Sequence, residues 1–383
     1  MDARVMSRRT FAGLLGVGVA GTLEWRGGAG VAAAPGPVRQ IPGAPGADRP
    51  PVARLDSNEF ADGPSARARE AMFAARDQFG RYPDLAEAHM REAIARHHGV
   101  APAQVALGCG STEILKMAAQ AFLSPGRVLV AAEPTFEAVI SSSGLTQAEA
   151  IKVPLTPAHA HDLDKMAAAC SERTGLVYVC NPNNPTGTIV TGERLEAFLR
   201  RLPPWTMAVV DEAYAHFVVD AGYRTAMDLL PRFANLVVVR TFSKIYGMAG
   251  LRLGYAVASE PVVAALQRHA VTSNANCAVL EAARTSLDEP GLVADRRAAV
   301  ADARRRLYAE LDRDRRPYIR SETNFVMIRI GADVGPLVQQ FKERGIWVGR
   351  RFPAMPDYLR VSIGTPAEMT LFVETLRQLA PRA

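Results

Sequence analysis

The chain changes rhythm near residue 105, where short unbroken apolar runs begin to alternate with stretches whose apolar residues recur every three or four positions. Gln104–Leu107, Arg127–Ala131, Ala150–Val153, Thr174–Cys180, Met207–Val210 and Leu236–Arg240 read as strands. Thr112–Leu123, Phe136–Ser143, Lys165–Cys170 and Gly192–Leu202 read as the helices between them. A strand without polar alternation, such as Leu236-Val-Val-Val239, is apolar on both faces and needs cover on both. The expectation is an α/β fold, a mostly parallel central sheet with helices on both faces. Gly254–Ala258 adds a further strand that can run antiparallel.

Upstream, Ser65–Phe79 has helical character, Arg81-Tyr82-Pro83-Asp84 is a turn, and Leu85–His98 is a helix stopped by Gly99. Downstream, a long helical stretch from about Glu260 to Leu311 ends the alternation. Asn324–Ile330, Ile346–Val348 and Tyr358–Ile363 then predict a separate, mostly antiparallel sheet, with a helix over Val334–Arg344. Thr365-Pro-Ala-Glu368 starts a last helix to about Leu379: a Thr cap, Pro at the first position, Glu at the third. The expected organisation is a targeting segment (1–34), a Gly/Ala/Pro linker (35–52), a segment packing with the small domain (53–80), a large domain (81–285) and a smaller α+β domain (286–383).

Composition and charge narrow the function classes. With 383 residues, 48% of them hydrophobic, the chain can bury a large core. The formal charge is +6, of which +2 falls in residues 1–34 through Arg4, Arg8, Arg9 and Arg26 against Asp2 and Glu24. Elsewhere acids and bases intermingle, as in Asp312-Arg-Asp-Arg-Arg316, which argues for a solvated helix face and against a nucleic-acid surface. Cys109, Cys170, Cys180 and Cys277 show neither metal spacing nor a disulfide framework and read as buried free thiols. Ser7-Arg8-Arg9-Thr10-Phe11, a glycine-broken apolar stretch to Leu23, and Ala32-Ala33-Ala34 before Pro35 resemble a twin-arginine signal. The stretch is too short to span a bilayer, so stable membrane anchoring is not expected. The implied location is periplasmic or secreted, or cytoplasmic if those residues are only an extension.

Four stretches carry candidate chemistry. Thr241-Phe-Ser-Lys-Ile-Tyr-Gly-Met-Ala-Gly-Leu-Arg252 follows a buried strand. Lys244 there is either a Schiff-base nucleophile of lowered pKa among small residues or a solvated lysine. Leu107-Gly-Cys-Gly-Ser-Thr-Glu113 opens a helix whose first amides suit a phosphate, or is a plain tight turn; it matches neither dinucleotide nor nucleotide loops. Cys180-Asn-Pro-Asn-Asn-Pro-Thr-Gly187 is more specific, because its prolines would hold Asn184 rigidly at a strand end. In Val209-Val-Asp-Glu-Ala-Tyr214, Asp211 at the end of a buried strand needs a cation or ring N–H partner unless it caps a helix.

In this order and spacing the four stretches resemble the fold-type I pyridoxal-phosphate enzymes, among them the class I/II aminotransferases, and most closely the histidinol-phosphate aminotransferase branch. The resemblance runs from about Arg54 to Leu379. It implies pyridoxal 5'-phosphate as cofactor, no metal, and catalysis by Lys244, Asp211 and Tyr214. Lys244 would hold the cofactor and then move a proton, and Asp211 would pair with the pyridinium nitrogen. Asn184 and Tyr214 would bond the phenolic oxygen and Phe136 would stack on the ring. Gly110, Ser111, Thr112, Ser243 and Arg252 would form the phosphate seat. Tyr82 would reach the partner subunit's cofactor in a homodimer. Arg360, with Asn184, would grip the substrate α-carboxylate, and Asp56-Ser-Asn-Glu59 would cover the site.

The implied activity moves an amino group between an L-amino acid, or a histidinol-phosphate-like amine, and a 2-oxo acid by a ping-pong Schiff-base route. One departure stands out: Gly349 occupies the place of the family's second, phosphate-binding arginine, and either Arg350 or Arg351 next to it could substitute, Arg350 being the expected substrate-binding residue. The competing readings are a decarboxylase or lyase on the same scaffold, since no motif reports which Cα bond breaks, and a cofactor-binding sensor. Residues 35–52 are too short and proline-rich to supply the DNA-binding segment a sensor would need.

Overall fold

The computed structural model describes residues 52–381. The expected targeting segment and all but the last residue of the expected linker lie outside them. The chain begins with β1 (Ala53–Leu55), α1 (Ala66–Ala74), α2 (Asp84–His98), β2 (Val105–Gly108), α3 (Ser111–Phe122), β3 (Val128–Glu133), α4 (Ala138–Leu145) and β4 (Glu149–Pro154). It continues through α5 (Leu163–Ala168), β5 (Thr174–Cys180), α6 (Gly192–Arg201), β6 (Met207–Asp211), β7 (Leu236–Thr241), β8 (Gly254–Ala258), α7 (Glu260–Gln267) and α8 (Cys277–Leu287). It closes with α9 (Leu292–Arg313), β9 (Tyr318–Ile319), β10 (Phe325–Arg329), α10 (Gly335–Glu343), β11 (Ile346–Val348), β12 (Tyr358–Ser362) and α11 (Pro366–Leu379).

The central sheet has seven strands in the order β2-β8-β7-β6-β5-β3-β4. Neighbours from β7 to β4 are parallel, while β8 pairs antiparallel with both β7 and β2. The C-terminal ends of β2, β5, β6 and β7 therefore share one edge, where open α/β sheets place their ligands. Every residue of β5 and β7 is buried. Leu176, Tyr178, Val237 and Val239 enter a core with Ile114 and Leu115 of α3. The alternate residues Val177, Val179, Leu236 and Val238 enter a second core with Leu195 and Phe198 of α6. Two opposed cores explain why these runs carry no polar alternation.

Helix ends follow their local chemistry. Gly99 takes a left-handed φ of 66° and closes α2 through amide bonds to Ala95 and Arg96. Thr365 and Glu368 form the expected reciprocal cap of α11.

The small sheet differs from expectation. Its order is β12-β10-β9, all antiparallel, and β11 is not in it: β11 pairs in parallel with β1. A three-residue strand carries too little pattern to choose its partner, and β9, with two residues, left no pattern to read. β11 lies near β12, and just beyond its end the Gly349 amide donates to the Arg360 carbonyl at 2.9 Å. The expected long helix is α7, α8 and α9, interrupted at 268–276 and 288–291. Asn276 caps α8 by accepting from the Val279 amide, and Gly291 turns the chain into α9 with φ 77°. The helix expected from Phe136 starts two residues later, which leaves Phe136 in the loop. Cys180 and Cys277 are buried, but Cys109 and Cys170 are only half-buried, a correction to the expectation for all four thiols. Among the described residues no helix is long and apolar enough to cross a membrane.

Candidate active site

A cleft of about 770 Å³ opens at the shared strand edge. β7 leads into it with Ser243, Lys244 and, after a short turn, Arg252; β6 ends at Asp211 and leads on to Tyr214. The loops after β5 and β3 add Asn184 and Phe136, the start of α3 adds Ser111 and Thr112, the loop after β11 adds Arg350, and β12 of the small sheet adds Arg360. The structure thus brings these expected residues into one cavity from segments far apart in the chain.

Lys244 Nζ donates to the carbonyls of Ser57 and Asn58, each at 3.1 Å, and lies 5.5 Å from the centre of the Tyr214 ring. Desolvation, then the positive charges of Arg360 and Arg252, lower its pKa to about 8. A far larger fraction of Lys244 than of an exposed lysine is then an unprotonated nucleophile near neutrality.

Asp211 is buried at the end of β6, accepting from Tyr178 Oη at 2.9 Å and the Ala213 amide at 3.0 Å. Burial raises its carboxyl to about 6 despite those bonds. Such a group calls for a cationic partner. Beside it burial pushes the Cys180 thiol far up, so that sulfur is neutral and unreactive. Tyr214, its phenol also raised by burial, accepts from Asn58 Nδ2 at 3.1 Å.

The expected phosphate seat centres on a glycine, with the Arg252 side chain above it. Gly110 precedes α3 with φ 79°, and a Cβ there would stand 2.2 Å from Arg252 Nη2. Only glycine lets that guanidinium lie over the helix start, where amides and helix dipole favour an anion. Arg252 also donates to Ser243 Oγ at 3.3 Å and to the Ala249 carbonyl at 2.8 Å.

Arg360 is buried. It donates from Nη1 to Asn184 Oδ1 at 2.8 Å and from Nη2 to the Asp56 carbonyl at 2.6 Å, and its Nε has no partner. A buried guanidinium with an unpaired donor fits a carboxylate ligand. Gly349 lies against it: a Cβ there would be 2.9 Å from Arg360 Cβ and 3.1 Å from Nε. A side chain at 349 would therefore displace Arg360. Of the two neighbouring arginines only Arg350 lines the cleft; Arg351 turns to Asp333, donating to both carboxylate oxygens at 2.9 and 2.8 Å.

Tyr82 does not join this cleft: it is 85% exposed in the turn before α2. Several residues that complete the site escaped the sequence reading. Asn58, at φ 53°, ties Ser362, Tyr214 and Asn324 together. The buried pair of Glu212 and Arg240, 2.7 Å apart, braces the ends of β6 and β7 behind Asp211 and Lys244. Glu137 and Phe352 flank the cleft beside Phe136 and Arg350. Adjacency to the motifs is the one signal for Glu212 and Glu137; Asn58 lay within the expected covering segment 56–59 with no role of its own, and Phe352 has no signal.

The residues present fit pyridoxal 5'-phosphate: a depressed lysine, a buried carboxylate that lacks a cation, and an arginine-roofed helix start. The family model of aminotransferase classes I and II matches residues 50–376. The histidinol-phosphate aminotransferase of Brevibacillus brevis is 37% identical over 333 residues, 87% of this chain and 91% of the relative. The aromatic amino acid aminotransferase of Streptomyces coelicolor is 37% identical over 334 residues, 87% and 92%. The crystal structure of Sinorhizobium meliloti histidinol-phosphate aminotransferase, in complex with pyridoxal-5'-phosphate, superposes with a TM-score of 0.81 at 26% identity, covering 86% of this chain and 91% of that one. The chain belongs to the class I and II aminotransferase family.

Proposed function

We propose that this protein is a pyridoxal-phosphate-dependent aminotransferase that moves an amino group between an L-amino acid and a 2-oxo acid. The observation that carries the reading is one cleft holding a lysine with its pKa lowered to about 8 beside a buried aspartate raised to about 6. When bound, the cofactor supplies an electron sink for charge that develops at the substrate Cα. Asp211 favours a proton on the ring nitrogen by its negative charge. Lys244 would be the group that holds the proton removed from the substrate Cα. Gly110, Ser111, Thr112, Ser243 and Arg252 hold the phosphate, Phe136 covers the ring, and Tyr214 with the amide nitrogen of Asn184 addresses the phenolic oxygen. Arg360 orients the α-carboxylate, which fixes the Cα bond to be broken.

The donor is a free amino acid in preference to histidinol phosphate. Gly349 supplies no phosphate grip, and Arg350 is paired with Glu137 at 2.6 Å. Mixing the holoenzyme with a panel of amino acids and histidinol phosphate, and following the cofactor's visible absorbance, tests this. A change with amino acids that a 2-oxo acid reverses is expected; loss of CO2 instead would establish a decarboxylase.

The enzyme is further proposed to be a homodimer with Tyr82 in the partner's site. Phe73, Phe79 and Leu85, at 67%, 60% and 70% exposure, give the segment around Tyr82 an apolar surface suited to a second copy. Arg8 and Arg9 support export of the folded, cofactor-loaded enzyme, because a cavity assembled from Ser111 to Arg360 could not keep its cofactor through unfolded threading.

A further inference from the structure

Arg350 does not stand free in the cleft. Its Nη2 donates to Glu137 Oε2 at 2.6 Å, and its Nη1 donates to the Arg351 carbonyl at 3.3 Å. The guanidinium lies 4.5 Å from the centre of the Phe352 ring, and the guanidinium of Arg360 lies 5.2 Å from the same ring. Two cations therefore share one aromatic ring, and burial first, then the charge of Arg350, lower the Arg360 pKa. Glu137 is the carboxylate paired with Arg350, while Asp56 faces Arg360. Glu137 stands directly after Phe136 at the start of α4 and lines the cleft together with Arg350.

This pair is one of the charged features that line the cleft, with Asp56, Glu59 and Lys342. Both side chains are about half exposed, 53% for Arg350 and 56% for Glu137, so the pair is weak enough to open. A ligand with an anionic distal group would have to displace Glu137 from Arg350 and approach a carboxylate to do so. An uncharged aromatic group faces no such competition and meets Phe136, Trp347, Val348 and Phe352.

Resting on the aminotransferase reading for the class of ligand, we propose that Glu137 is a specificity-determining residue. By neutralising Arg350 it disfavours substrates with a distal carboxylate or phosphate and favours amino acids with large uncharged side chains.

The test is calorimetric binding of glutarate and of 3-phenylpropionate to the holoenzyme, its Glu137→Gln variant, and the Glu137→Gln, Arg350→Ala double variant. Both acids offer one carboxylate to Arg360, and only glutarate carries a second. Glu137→Gln is expected to tighten glutarate roughly threefold to tenfold, in keeping with an exposed ion pair, and to change 3-phenylpropionate less than about twofold. The double variant is expected to lose the gain. An unchanged ratio of the two affinities in Glu137→Gln, or a gain that survives loss of Arg350, would overturn the assignment. Because binding is read without turnover, an enzyme that shows the expected ratios but transfers no amino group refutes the aminotransferase reading alone.

Discussion

Arg360 donates to Asn184 Oδ1 at 2.8 Å across 176 positions of sequence, joining the small sheet to the loop that follows β5 of the large one. The bond places the expected carboxylate-binding guanidinium next to the amide expected over the cofactor's phenolic oxygen. The groups proposed to hold substrate and cofactor are thus joined by one contact between two sheets. Arg360→Ala is expected to lower kcat/KM for every amino acid by on the order of 10²-fold or more, as charge-assisted bonds to a carboxylate disappear. Arg360→Lys should recover only part of this, because a lysine keeps the charge and loses the fork. Steady-state kinetics on both variants checks it.

Lys244 should be the residue that borohydride reduction links to the cofactor, and Lys244→Ala should abolish trapping. Its lowered pKa gives a pH dependence with a definite sign. The reactive neutral amine gains population as pH rises through about 8, so the rate of cofactor uptake by cofactor-free protein should rise and level off there. An ordinary lysine would still be gaining rate at pH 10. Stopped-flow absorbance measures this, and a mapped linkage at another lysine would remove the assignment.

Asp211→Ala is expected to retain some cofactor and lose on the order of 10²- to 10³-fold in kcat, the scale of one removed preorganised electrostatic group. The carboxyl also links stability to pH. Since its pKa rises from 3.8 to about 6 on folding, the native state holds the proton more tightly than the unfolded chain. Cofactor-free protein should therefore lose stability relative to Asp211→Asn as pH climbs from 3.8 to about 6, and show no further change above that. The full difference is on the order of 3 kcal/mol. Urea unfolding across this range measures it.

Mixing Tyr82→Ala subunits with Lys244→Ala subunits should restore activity. Each hybrid dimer holds one doubly defective site and one intact site, so random reassociation should give about a quarter of the wild-type rate. Proven hybrids without activity would place the role of Tyr82 within its own subunit or nowhere in catalysis.

Replacing Arg8 and Arg9 together by lysine should retain the protein in the cytoplasm with its N-terminus uncleaved, while the native chain is exported and shortened near Pro35. Cell fractionation with N-terminal sequencing reads both. Equal retention of the two forms would reduce residues 1–34 to an extension.

The sequence alone determined whatever depends on local pattern. Leu236–Val239 and Thr174–Cys180 are apolar at every position, which demanded a sheet covered twice, and the structure puts their alternate residues into two cores. Gly108–Glu113, Asn181–Gly187, Asp211–Tyr214 and Lys244 stood at predicted strand exits, and parallel strands bring such exits to one edge. Tertiary structure decided what depends on distance between segments. Ile346–Val348 was a legible strand, yet its partnership with Ala53–Leu55 is a choice among edges that three residues cannot encode. Arg350 and Arg351 were equivalent in sequence; the nearness of Asp333 took one and that of Glu137 the other. Asn58 became a hub only because Ser362, Tyr214 and Asn324 converge on it from strands and loops up to 304 positions away. Hydrophobic periodicity acts through neighbours along the chain, whereas burial, pKa and ion pairing act through neighbours in space, and those exist only once the sheets are packed.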